Sequence, residues 1–384
     1  MDGETILAVD DLPENLMTLK LGLRKFNFDF QMARSGDIAL EMLATLKPDL
    51  ILMDIQMPGK DGFETAQIIK QMPGLEDVPI IFLSALRDLQ NIVRCFESGG
   101  VDYISKPFRN QELVARIGTH LKIRRLQQNL EAERSKMHTI LSNILPESYV
   151  NKLKGGQRPQ TEIFKDAVLI FTDFKNFTGI SRDLGPETSI NHLNRIFFAF
   201  DEIISHFGLE RVKTLGDGYF AVAGINTNGP DAPIRSVCAM LKMQEFIQFY
   251  NKKYPEIDWK LRIGAHVGEV IAGIVGYQKI AFDVWGSPVN IASRLQNVAD
   301  TDGIVLSNEM YTMVKESVII ERSDSKPLHN LGNHEIHYIY DLSDGCPDLI
   351  RASFENLKAD SLYYTYSEDT DIIKKLFPKP SKSD

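Results

Sequence analysis

Two groups of acids in this sequence are spaced for metal-assisted phosphoryl chemistry. The first is Asp10 and Asp11 in "VDD" together with Asp54 in "LILMDIQ". Each closes a short apolar run, and clustered carboxylates repel unless a hard cation neutralises them, so the set predicts a Mg²⁺ site. Ser84 and Lys106, after two further apolar runs, add a hydroxyl donor and a cation beside that metal. The second group is Asp173, after "LIFT", and Asp217, inside "KTLGDGYF". If that strand lies beside the hairpin, the carboxylates converge and can hold two divalent ions, which neutralise polyphosphate charge and lower the pKa of an attacking hydroxyl. Taken singly, an Asp in "GDG" is an ordinary hairpin tip; the combination carries the reading. "FKNFTG" then enters a helix, making the N–H groups of Phe174, Lys175, Asn176, Phe177 and Thr178 candidates to cradle phosphate. In "FDVWGSPVNIASR", Asn290 and Arg294 stand four apart and share one helix face. An arginine aimed at a transferring phosphorus offsets developing charge.

Positioning these groups takes two α/β units. Residues 1–121 alternate "TILAV" (5–9), "FDFQMA" (28–33), "LILM" (50–53), "PIIFLS" (79–84) and "DYIS" (102–105) with amphipathic helices. That alternation predicts a doubly wound, flavodoxin-like parallel sheet, with its acids in the crevice at the strands' carboxyl ends. The "KP" at 106–107 suits a cis-proline. From about 109 to 145 the pattern becomes one long polar helix. Ile123, Leu130, Met137 and Ile144 recur every seven residues, with Leu126, Glu133 and Ile140 at the alternate seam positions, which predicts a parallel coiled-coil dimer within a 122–156 linker. The helix should end near Leu145-Pro146, and "KLKGGQRPQ" (152–160) reads as a flexible joint. Residues 157–343 predict an α+β domain with antiparallel pairing. Its parts are a buried strand "AVLIFTDF", a hairpin "ERVKTLGDGYFAVAG", a helix over 232–253, a strand "WKLRIGAHVG", a further strand near 269–275 and a helix from about 288. Residues 344–384 are charged and weakly periodic, and the sequence assigns them no role.

Composition narrows the function classes. A net charge of −9, with no dense basic cluster beyond "KIRR" at 122–125, argues against a nucleic-acid surface. Cys95, Cys238 and Cys346 form no CxxC pair and read as buried thiols of a reducing compartment. No apolar run reaches the length of a membrane span and the start lacks the order of a signal peptide, so the expectation is a soluble cytoplasmic protein.

Over residues 3–121, "VDD" (9–11), "LILMDIQMPGKDG" (50–62), "LSA" (83–85) and "YISKP" (103–107) resemble the receiver domain of two-component response regulators. The resemblance implies that a sensor histidine kinase phosphorylates Asp54, and that Asp10, Asp11, Asp54 and the carbonyl of Gln56 bind one Mg²⁺. It implies further that Ser84 and Lys106 stabilise the added phosphate, and that Tyr103 is the aromatic that changes rotamer. Over residues 164–342, "FTDFKNFT", "VKTLGDGYF" and "FDVWGSPVNIASR" resemble the class III nucleotidyl cyclase catalytic domain, and "ILPESYVNKLKGG" (144–156) resembles that family's lead-in segment. This second resemblance implies Asp173 and Asp217 as ligands of two Mg²⁺ or Mn²⁺ ions, Lys213 and Asp283 as the purine-reading pair, Asn290 as the ribose-positioning residue and Arg294 as the transition-state stabiliser.

The residue types agree with an adenine substrate. Lys213 only donates and ionised Asp283 only accepts, which complements the ring-nitrogen acceptor and amine donor of adenine. Guanine presents the reverse, for which the family typically uses a Glu and a small or amide residue. Lys213 and Asp217 flank one hairpin, yet one serves the base and the other the phosphates. The family resolves this with a head-to-tail dimer, so a homodimer of this chain would hold two equivalent sites. The family's triphosphate-binding Lys is missing: "LGNHEIHYIY" (331–340) has Asn333 or His334 there, and Lys326 aligns poorly. The reading is thus a phosphorylation-controlled adenylate cyclase acting on ATP, with neither nucleic-acid nor membrane partners. The alternatives are a guanylate cyclase and a nucleotide-binding scaffold without turnover. A diguanylate cyclase lacks support because its Gly-Gly-acid-acid-Phe turn is absent.

Overall fold

The chain divides into two compact units, Met1–Met137 and His138–Asp384. A computed structural model describes residues 3–26, 28–84, 89–157, 160–225, 229–276 and 280–368. Ala85 of the "LSA" motif, Arg158 and Pro159 of the expected joint, and residues 369–384 lie outside the described residues.

In the first unit the strands are β1 (Thr5–Val9), β2 (Asp29–Ala33), β3 (Leu50–Asp54), β4 (Ile80–Ser84) and β5 (Asp102–Ser105). Between them run α1 (Pro13–Leu23, closed by a 3-10 turn at Arg24–Phe26), α2 (Gly36–Leu43), α3 (Gly62–Lys70) and α4 (Leu89–Glu97). All pairings are parallel and the order is β2-β1-β3-β4-β5, the flavodoxin-like arrangement the alternation predicted. The strands are near-continuous apolar runs because both faces are covered: Leu7, Val9, Ile51 and Met53 enter one core, Ile6, Ala8, Leu50 and Leu52 the other. The Lys106–Pro107 peptide is cis.

Helix α5 (Asn110–Ser142) begins in this unit, where Leu113, Ile117 and Leu121 are buried and Arg124 donates to the carbonyls of Pro48 and Asp49 at 2.8 and 2.6 Å. It ends three residues before the expected Leu145. Leu145 is instead buried in the second unit, which draws the chain off the helix axis, so Ile144 is not on the heptad helix. The expected joint also begins later, because α6 (Glu147–Lys154) takes up Lys152 to Lys154.

The second unit continues with β6 (Glu162–Lys175), α7 (Phe177–Leu184), α8 (Pro186–His206), β7 (Glu210–Leu215), β8 (Gly218–Ala223), α9 (Ala232–Lys253) and β9 (Lys260–Val275). There follow β10 (Ala281–Trp285), α10 (Ser287–Val298), β11 (Ile304–Ser307), α11 (Asn308–Val314), β12 (Val318–Leu328), β13 (Gly332–Leu342), α12 (Asp348–Asn356) and α13 (Ala359–Glu368). The sheet order is β12-β13-β11-β9-β6-β8-β7, with β10 paired to β9. Its β6-α8-β7-β8-α9-β9 run, ordered β9-β6-β8-β7, is the ferredoxin-like arrangement. On β6, Val168 and Ile170 face α8 and α9, while Ala167, Leu169 and Phe171 face the side of α6 and α10. Asp173 continues the second series and emerges on the α10 side.

The two strands expected at 259–268 and near 269–275 are one strand of sixteen residues. Two glycines of this strand are seats for α10. A Cβ on Gly264 would stand 2.1 Å from the Gln296 nitrogen, and one on Gly268 would stand 2.6 Å from Pro288 Cγ. Beyond Leu342, α12 and α13 pack on the α8–α9 side, with Cys346, Ala359 and Leu362 buried in that core. Among the described residues no helix is long and apolar enough to cross a membrane.

Candidate active site and phosphoacceptor site

In the first unit the parallel sheet delivers Asp10, Asp11 and Asp54 to one crevice, with carboxylate oxygens all within 4.8 Å of one another. Asp10 is fully buried. It accepts from the Leu12 N–H at 3.0 Å and from Asn15 Nδ2 at 2.9 and 3.0 Å. Lys106 Nζ bridges Asp10 Oδ2 at 2.7 Å and Asp54 Oδ1 at 2.9 Å. Burial raises the pKa of Asp54 above the usual carboxylate value; the Lys106 hydrogen bond and charge oppose that shift, and Asp10 adds to it. The lysine thus balances charge that a hard cation would otherwise carry, and three carboxylates of this kind fit Mg²⁺. Ser84 ends β4, one residue beyond the partner of Asp54, and Tyr103 of β5 pairs with Phe82 of β4. Gln56 is exposed just past Asp54, where its carbonyl can serve the same ion. Sequence reasoning missed Asn15, which clamps Asp10; its spacing of five from Asp10, one turn into α1, was the available signal.

In the second unit Asp173 ends the buried part of β6 and Asp217 occupies the β7–β8 turn beside Gly216, whose φ is +68°. Burial raises the pKa of Asp217, and the neighbouring charge of Asp173 raises it further; the Phe174 N–H opposes the shift. Asp173 is ion-paired to Arg262, its cross-strand partner on β9, and accepts from Gln296 Nε2 of α10 at 3.3 Å. Two partly exposed carboxylates that repel each other, one held by a guanidinium, form a donor set suited to divalent cations. After Asp173 the chain turns at Asn176, in the left-handed conformation (φ +62°), into α7. That turn brings the Phe174–Thr178 backbone to the same end of β6. Arg262 and Gln296 were invisible in the sequence because their link to Asp173 exists only through the strand register and the seat of α10.

The purine-reading candidates meet directly: Lys213 Nζ lies 2.6 Å from Asp283 Oδ2, joining β7 to β10. Two residues after β10, α10 begins with Asn290 exposed and Arg294 half-buried on one face. Arg294 Nη1 is buried and makes no hydrogen bond among the described residues. Gln296, the residue of α10 that touches Asp173, is two positions on from Arg294, about 200° around the helix. Within one chain, Arg294 and Asp173 therefore lie toward different faces of α10. Lys326 pairs with His334 across the β12–β13 ladder and forms a salt bridge with Asp324 at 3.2 Å.

Comparison with known proteins finds two domain families in the chain. Residues 6–118 match the family described as response regulator receiver domain, and residues 160–341 match the adenylate and guanylate cyclase catalytic domain. The chain carries a response-regulator receiver domain followed by a class III nucleotide cyclase catalytic domain. It is 30% identical over 193 residues to a membrane guanylyl cyclase of Dictyostelium discoideum, covering 50% of this chain and 13% of the relative. It is likewise 30% identical over 198 residues to an adenylate cyclase of Mycobacterium tuberculosis, covering 51% of this chain and 44% of the relative. The chain thus spans less than half the length of these curated relatives, which include both substrate types. Among solved structures, the guanylate cyclase domain of RhGC from Catenaria anguillulae, in complex with GTP, is similar with a TM-score of 0.45 and 26% identity, covering 47% of this chain and 100% of that one.

Proposed function

We propose that this chain is an adenylate cyclase controlled by phosphorylation of Asp54, converting ATP to 3′,5′-cyclic AMP and pyrophosphate as a homodimer. The observation that carries the substrate assignment is the Lys213–Asp283 pair at 2.6 Å, one donor and one acceptor held side by side. Divalent ions, Mg²⁺ or Mn²⁺, held by Asp173 and Asp217 supply charge neutralisation and lower the pKa of the ribose 3′-hydroxyl. The hydroxyl oxygen attacks the α-phosphorus in line; the bond to the β-phosphate oxygen breaks and pyrophosphate leaves. Arg294, with its buried unpaired Nη1, offsets charge developing at that phosphorus, and Asn290 orients the ribose. The Phe174–Thr178 backbone receives phosphate oxygens at the start of α7. Arg262, paired with Asp173 in the metal-free chain, would be a cation available to the triphosphate in a chain that lacks the family's lysine near Asn333.

The opposed placement of Gln296 and Arg294 on α10 supports a head-to-tail dimer in which the acids of one chain work with the arginine of the other. The exposed apolar stripe of α5, at Ile123, Leu126, Leu130 and Met137, supports a paired helix holding it. A sensor histidine kinase as phosphodonor and buried thiols at Cys95, Cys238 and Cys346 suit the cytoplasm. The test is purified protein with Mg²⁺ or Mn²⁺ and either ATP or GTP, with and without acetyl phosphate. Cyclic AMP from ATP is expected, with a phosphodonor response that Asp54→Asn abolishes. No cyclic AMP under any condition refutes the activity, preference for GTP makes the chain a guanylate cyclase, and a surviving response in Asp54→Asn refutes the control.

A further inference from the structure

The lead-in helix α6 carries a tyrosine whose contacts reach both strands of the hairpin that presents Asp283. The Tyr149 ring is buried, 5.2 Å from the ring of Phe282, the residue before Asp283. Its hydroxyl donates to the carbonyl of Ala272 on β9, 3.2 Å away. Ala272 pairs with Val284, the residue after Asp283, so one side chain ties the two strands together at the level of the base-reading acid. Leu145 and Val150 are buried in the same cluster as Phe282 and Val284. Val212, which precedes Lys213, packs against that cluster, and so does Leu141 in the last turn of α5. The β7–β8 register shifts between Arg211 and Lys213, so Val212 is the extra residue of a bulge that aims Lys213.

We propose that Tyr149 is a positioning residue of the purine site, fixing through Phe282 and Ala272 how Asp283 stands against Lys213 and thereby setting nucleotide choice. This rests on Lys213 and Asp283 reading the base. Among the described residues strand β10 pairs with β9 alone, and no second ladder holds its outer edge. A base-reading pair keeps its selectivity only while donor and acceptor stay within a few tenths of an ångström of hydrogen-bond geometry. Tyr149 supplies the missing restraint from above the hairpin. Burial, and after it the charge of Glu162, push its phenol up to about 12, so it remains a donor throughout the physiological range. A displacement of the last turn of α5 would reach Lys213 and Asp283 through Leu141 and Tyr149.

The test is steady-state kinetics of the full chain with ATP and with GTP, in the wild type, Tyr149→Phe, Tyr149→Leu and Met240→Ala. Tyr149→Phe keeps the ring and loses one hydrogen bond; the ATP-to-GTP ratio of kcat/KM should fall about threefold to tenfold, chiefly through a higher KM for ATP. Tyr149→Leu should lower the ratio further. Met240→Ala, a cavity in the core against α8 and α9, should lower the melting temperature and leave the ratio alone. If Tyr149→Leu does not fold, Tyr149→Phe decides. An unchanged ratio in the Tyr149 variants, or a loss confined to kcat, overturns the assignment, as does an equal shift in Met240→Ala. If the wild type turns over neither nucleotide, the adenylate cyclase reading fails by itself. The Tyr149 assignment is then read from the Kd ratio of fluorescent ATP and GTP analogues, with the same outcomes.

Discussion

Reversing the hydrogen-bonding sense of the base-reading pair should reverse nucleotide preference. The double substitution Lys213→Glu with Asp283→Ser replaces a donor by an acceptor and an acceptor by a group able to donate, which matches the ring N–H and carbonyl of guanine. A site polar group facing a like group costs about 1–3 kcal/mol. The side chains of Lys213 and Asp283 are 41% and 24% exposed, so water recovers part of that cost and the lowest quarter of the range applies. Two mismatches at about 1–1.5 kcal/mol each come to about 2–3 kcal/mol, or roughly a 30- to 150-fold fall in kcat/KM for ATP at about 1.36 kcal/mol per decade. The assay is cyclic nucleotide formed from ATP and from GTP at matched metal concentration, with circular dichroism to establish folding. GTP should become the better substrate. A folded double variant whose ATP-to-GTP ratio stays within about threefold of the wild type would refute the claim that these residues read the base.

Two further outcomes follow from the geometry. The pKa of Asp217 is raised in the fold, so ionising it there is unfavourable: the penalty is absent below the ordinary carboxylate pKa and complete above the raised one. Asp217→Asn should therefore raise the melting temperature of the metal-free protein by about 1–3 °C at pH 7 and leave it unchanged near pH 3, while abolishing stabilisation by added Mn²⁺. Scanning calorimetry at the two pH values checks the sign, and a lower melting temperature at pH 7 would contradict it. On α5, Leu130→Glu puts a charge into the exposed seam and should weaken self-association about tenfold or more, seen by sedimentation velocity and as specific activity that falls on dilution. Unchanged sedimentation would show that the stripe does not pair.

What the sequence made legible is what local pattern controls. Strand β1 runs Thr5–Val9 and α9 runs Ala232–Lys253, both as expected, because one is an unbroken apolar run and the other a long periodic helix with Pro233 in its first turn. The acids at strand ends could be placed for the same reason, since a parallel sheet fixes where its carboxyl ends lie. Long-range register left no such trace. Arg262 meets Asp173 across 89 positions, and nothing in "WKLRIG" marks that arginine over any other. The role of residues 348–368 also escaped, because α12 and α13 are short and bury only a few side chains, such as Ala359 and Leu362, while Leu349 stays 88% exposed. The single strand β9 escaped as well, because nothing local shows that Gly264 and Gly268 lie within one continuous strand and admit a helix.

That seat has a consequence for how the enzyme can vary. Helix α10 meets peptide backbone at Gly264 and Gly268, so at those two points its height over the sheet has no side-chain layer that repacking could thicken or thin. Mutations elsewhere in the core can raise or lower the melting temperature while the reach of Arg294 stays constant. A single methyl group at either glycine would lift the whole helix. Thermal tolerance and catalytic reach are thus separate variables, free to drift independently across temperatures, with two hydrogen atoms in place of side chains keeping them apart.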